Sequence, residues 1–101
     1  MGYNMVVRVR MTEVYRDWIN SLKDRVGRAH IQMRVDRLAH GNPGQHRNLS
    51  AGVSELKVDF GPGYRVYYTQ RGDEVIILLA AGDKSTQQKD IEIATALARN
   101  L

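Results

Sequence analysis

From Met5 to Val9 the apolar residues fall on every second position, which predicts a short strand with Arg8 and Arg10 on its wetter face. The period then lengthens. Val14, Trp18 and Leu22 recur at four-residue spacing and predict a helix from about Glu13 to Lys23, with the Thr12 hydroxyl placed to accept from a free first-turn N–H. A second helix follows from about Arg25 to His40, with Ile31, Val35 and Leu38 as its buried stripe and Arg28, Arg34 and Arg37 in other directions. Gly41 can take the left-handed conformation that ends it, and Asn42-Pro43-Gly44 forbids continuation. The short join predicts an antiparallel helical hairpin. Gln45 to Gly52 has no periodicity and reads as a loop.

From Val53 the period returns to two. Leu56, Val58 and Phe60 share one face, and Glu55, Lys57 and Asp59 the other. Gly61-Pro62-Gly63 marks a turn, and Tyr64 to Thr69 forms the next strand, with Arg65, Tyr67 and Thr69 on one side. After the Gln70–Asp73 turn, Val75 to Ala81 is apolar on both sides, as a strand covered on two faces must be. Ser85-Thr86-Gln87-Gln88 has capping-box spacing, and Ile93, Leu97 and Leu101 give a last helix its stripe. The expected order is β-α-α-β-β-β-α, an α+β fold.

Length and composition narrow this further. The 101 residues fit one domain over residues 1–101. No apolar run approaches the ~20 residues of a membrane span, and Arg8 and Arg10 interrupt the place where a signal peptide would be apolar. A cytoplasmic protein is expected. There is no cysteine, so disulfides and thiolate metal sites are excluded. Residues 1–50 carry nine Lys/Arg against four acids, and residues 51–101 six against seven, so the excess positive charge lies in the first half. That asymmetry suits a polyanionic partner, nucleic acid or an acidic protein.

The candidate chemistry lies at the wet face of the C-terminal strands. Lys57 and Arg65 sit on strands joined by a short turn, and Lys84 follows the buried strand at once. Three cations near one phosphate are what phosphodiester cleavage needs to hold the charge that develops on phosphorus. The arginine fork can donate two bonds together. Tyr67 and Tyr68 are placed to stack a base or move a proton. The other use of these residues is local: Glu55 and Asp59 flank Lys57 and can pair with it. His30, His40 and His46 lack metal-ligand spacing; His46, beside Arg47 in a polar segment, is the one free to approach a substrate. No P-loop, dinucleotide fingerprint or Ser/His/Asp set is present.

Val53-Ser54-Glu55-Leu56-Lys57, then Gly61-Pro62-Gly63-Tyr64-Arg65-Val66-Tyr67-Tyr68, then Gly82-Asp83-Lys84-Ser85-Thr86-Gln87 with Asp90-Ile91, together resemble the signature of HigB-like toxins. These are the "addiction module killer protein" branch of the RelE/ParE toxin superfamily. The resemblance covers nearly the whole chain, including the Gly41–Gly44 loop and the helical hairpin. It implies a RelE-like fold, a twisted and mostly antiparallel sheet packed against helices. It also implies a toxin that cleaves mRNA on the ribosome without metal or other cofactor, neutralised by a helix-turn-helix antitoxin. Lys57, Arg65, Lys84 and Tyr67 then become the catalytic candidates, and His46, Arg47, Tyr68 and Gln87 the RNA-binding ones. The last helix departs from the best-studied ribonuclease pattern by offering Gln87, Asp90 and Glu92 in place of a Tyr or His. Tyr67, Tyr68, His46 and Lys57 stay open as the base. Two other functions stay open as well: a ParE-like poison of DNA gyrase, and a non-catalytic basic interaction module.

Overall fold

A computed structural model describes residues 7–101. Strand β1 (Arg8–Met11) leads into helices α1 (Glu13–Ser21) and α2 (Arg25–Ala39). Strands β2 (His46–Asn48), β3 (Val53–Val58), β4 (Tyr64–Arg71) and β5 (Val75–Gly82) follow. A 3₁₀ turn (Lys84–Thr86) then opens α3 (Gln87–Arg99). The five strands form one sheet in the order β1-β5-β4-β3-β2, with β1 parallel to β5 and every other pair antiparallel. This is the α+β architecture expected, with one strand more.

The added strand is β2, in the segment expected to be a loop. Its three residues are polar and exposed, so no hydrophobic period betrays them. They are strand because β3 presents a free edge, and His46, Arg47 and Asn48 pair with Leu56, Glu55 and Ser54. The first strand is displaced: pairing starts at Arg8↔Val75, while Val7 N–H goes instead to the Ala39 carbonyl. Met5 and Val6 lie outside the described residues.

The helices divide between the two sheet faces. α1 and α2 cover one face, where Tyr15, Ile19, Ile31 and Leu38 meet Leu56, Val58, Tyr64, Val66, Tyr68, Ile76 and Leu78. The apolar stripe of α1 is broader than expected: Trp18 and Leu22 pack against the core as expected, Tyr15 and Ile19 are buried beside them, and Val14 is exposed. α3 covers part of the other face through Ala94, Ile91 and Leu97 against Tyr67, Leu79, Ala80 and Val53. Leu101, expected in its stripe, is exposed. The cap before α3 is also different: the Asp83 side chain, not Ser85, accepts from the first free N–H. No helix among the described residues is long and apolar enough to cross a membrane.

Candidate nucleic-acid interface

α3 leaves one end of its sheet face open, and there β2, β3 and β4 form a cleft of about 370 Å³. Gln45, His46, Arg47, Glu55, Lys57, Arg65 and Gln87 line it. Lys57 and Arg65 are direct cross-strand partners, so the period-two pattern of both strands brings the two cations side by side. The turn between them is shaped for Arg65. Gly63 has φ +81°, its carbonyl accepts from the Arg65 Nη1 at 2.7 Å, and a methyl on its Cα would lie 3.0 Å from that nitrogen and 3.7 Å from the Lys84 Cβ. Gly63 thus stands between Arg65 and Lys84, which is exposed and lies outside the residues that line the cleft.

Arg65 is only 6% exposed, and its Nε is buried with no hydrogen-bond partner. No carboxylate among the described residues forms an ion pair with it or with Lys57; Arg47–Glu55 and His40–Asp36 are the ion pairs found there. The pairing of Lys57 with Glu55 or Asp59 is therefore not what the structure adopts. Two cations held side by side without a carboxylate partner repel each other, and an anion between them relieves this.

Glu55 organises the opposite wall. It is 3% exposed, yet takes Arg47 Nε on Oε1 at 2.7 Å and Gln87 Nε2 on Oε2 at 2.8 Å. Burial alone would raise its pKa, but the bonds from Arg47 and Gln87, and the nearby Tyr67 phenol, outweigh it and hold the carboxyl below its ordinary value. The same pair raises the pKa of Arg47. Sequence reading saw Glu55 only as a neighbour for Lys57. The Arg47↔Glu55 pairing becomes visible only once β2 is known to be a strand.

The remaining candidates separate. Tyr67 faces the cleft side but is 0% exposed, beneath its floor, and burial followed by the Glu55 charge raises its phenol pKa strongly. Its hydroxyl is close enough to Glu55 to feel that charge, but makes no hydrogen bond of acceptable geometry. Direct contact with substrate, expected of a catalytic Tyr67, is not open to it. Tyr68 is on the opposite sheet face, buried against the helices, so it does not reach the cleft that Arg65 lines. His46 pairs with Leu56, so its side chain leaves β2 on the face that α1 and α2 cover; it touches the cleft only at the edge, exposed, with Nδ1 2.8 Å from the Gly44 carbonyl. A carbonyl only accepts, so Nδ1 carries a proton and Nε2 of the neutral ring is left as an acceptor. Lys57, Arg65, Arg47, Gln87 and His46 are thus brought together, with Lys84 adjoining.

Some of the basic helical hairpin is committed internally. Arg34 donates to the carbonyls of Lys57 (2.5 Å), Pro43 (3.0 Å) and Gln45 (3.0 Å), fastening α2 to the end of the cleft wall where β2 begins. Burial, then the Arg37 charge, lowers its pKa. Arg28 reaches the Leu22 carbonyl at 2.7 Å and covers the end of α1.

Two similarities bear on this arrangement. The family model described as "Phage derived protein Gp49-like (DUF891)" matches residues 17–100. A protein of Haemophilus influenzae described as uncharacterized is 40% identical over 97 residues, 96% of this chain and 98% of its own length.

Proposed function

The chain belongs to the Gp49-like family of phage-derived proteins, a family associated with RelE-like toxins of toxin–antitoxin systems, and from that premise we propose that it is a toxin acting as an endoribonuclease on mRNA at the ribosome. The finer placement, in the HigB-like branch, is part of this proposal and rests on the three motifs around Lys57, Arg65 and Lys84. The observation that supports nuclease chemistry best is the side-by-side placement of Lys57 and Arg65 in the wall of an open cleft, neither paired with a carboxylate among the described residues. A phosphodiester lying in the cleft meets both cations.

The mechanism needs side chains only. Arg65 and Lys57 bind the scissile phosphate, with Lys84 adding charge from beside the cleft. The 2′-oxygen attacks phosphorus as its proton passes to a base at the cleft edge, where His46 is the exposed candidate, and Lys57 donates a proton to the departing 5′-oxygen. Glu55 is unsuited to the base role, since both its oxygens are occupied and its pKa is depressed. The reading places the protein in the cytoplasm, one domain in extent, with mRNA on the ribosome and a helix-turn-helix antitoxin as its partners and no cofactor.

Induced expression of Arg65→Ala and Lys57→Ala, made singly, tests the site. Growth arrest and mRNA fragmentation should fall sharply with each, while circular dichroism shows the fold retained. Unaltered arrest by both folded variants, or arrest with DNA-damage signalling and intact mRNA, contradicts the proposal; the latter would indicate a gyrase target.

A further inference from the structure

We infer that Arg47 and Gln87, held on the two oxygens of Glu55, read the edge of one unpaired base in the cleft, and that they favour guanine or cytosine over adenine or uracil. This rests on the RNA-cleaving reading above and names what the far wall of the same cleft does.

An ionised carboxylate can only accept hydrogen bonds, so its contacts fix what each partner has left to offer. Arg47 gives Nε to Oε1, and no hydrogen bond among the described residues uses its two terminal nitrogens. They form a planar fork of parallel donors on a side chain that is 57% exposed. Gln87 must turn its amino group toward Oε2, and its amide oxygen therefore points away from Glu55. The wall thus has two free donors on Arg47 and one free acceptor on Gln87, and the inferred base edge spans them.

A phosphate offers only acceptors and is repelled by the Gln87 oxygen, and Lys57 and Arg65 already suit it better. A base is the complement. Guanine runs N7, O6, N1–H around its edge, and cytosine O2, N3, N4–H: two acceptors and then a donor. Adenine and uracil alternate acceptor, donor, acceptor, and leave one arm of the fork or the amide oxygen unmatched. In single-stranded RNA every one of these edges is open to reading.

Transcript ends mapped after induction test this. Wild-type cuts should be enriched for G or C, on the order of tenfold, at one fixed position beside the scissile bond. Arg47→Ala should cut more slowly and without that enrichment, and so should Arg47→Lys, which keeps the charge but not the fork. Glu55→Gln should also flatten it, because a neutral amide at 55 lets Gln87 reverse. Replacing guanine by 7-deazaguanine in a reporter mRNA separates the two sources: it removes the preference if N7 and O6 are read, and leaves it if cytosine is. Enrichment for A or U, no enrichment in the wild type, or enrichment retained in Arg47→Ala overturns the inference while cutting survives. Absence of any cutting by the wild type removes the nuclease reading itself, and this inference with it.

Discussion

At the scale of single residues, fixed partners set what each charged group in and around the cleft can do. Asp24 shows the same away from the cleft. It caps α2 by accepting from Gly27 N–H at 2.9 Å, and also accepts from the Tyr64 hydroxyl at 2.7 Å. The Tyr64 bond, then the Gly27 bond, lowers its pKa, and burial, followed by the same Asp24 contact, pushes Tyr64 up to about 12. A depressed carboxyl stabilises the fold above its unfolded pKa of about 3.9, and that stability is lost as pH falls through the lower folded value. Asp24→Asn should therefore be less stable than wild type near neutral pH, with the difference shrinking below about pH 4. Urea midpoints at the two pH values measure this; a constant difference would contradict it. The site residues were partly legible from sequence. Lys57 and Arg65 were, because strand alternation fixes the face of each. Alternation puts Tyr67 on the Arg65 face and Tyr68 on the other but gives no depth, and α3 buries the first while α1 and α2 bury the second.

At the scale of elements, what sequence could not show is how one element fastens another. Three carbonyls from the α2–β2 loop and β3 converge on Arg34, and no local pattern announces that. Lysine has no planar fork to span them, so Arg34→Lys should lower unfolding free energy by about 2 kcal/mol in urea denaturation. Loss of the anchor should also loosen β2 and weaken RNA cutting. Gly82 has a similar role. Any Cβ there collides with the Asp90 carboxylate and comes 2.6 Å from Thr86 Oγ1, where α3 begins. Gly82→Ala should cost about 1–3 kcal/mol by overpacking and should displace Gln87, which the same turn carries. A variant as stable as wild type would show that α3 shifts freely. The helices and β3 to β5 were legible because their periods are long and clean. β2 was not, because a three-residue polar edge strand exists only through its partner.

At the scale of the molecule, the two sheet faces have different fates. One packs against α1 and α2, and the other is covered in part by α3, which leaves the cationic cleft at its open end. The sequence order anticipated this α+β arrangement and the grouping of Lys57 with Arg65. It did not anticipate that part of the basic hairpin, Arg28 and Arg34, would serve the protein's own carbonyls, which narrows the surface left for ribosomal RNA or an antitoxin. The central claim is that this cleft cleaves RNA through its own side chains. A translation mixture containing a defined mRNA tests it most directly, with the RNA ends analysed after adding wild-type protein or Arg65→Ala. The account predicts discrete fragments ending in a 2′,3′-cyclic phosphate or its hydrolysis product with the wild type, reduced about 100-fold or more in the variant. Intact mRNA with the wild type, or equal cutting by both proteins, would contradict it.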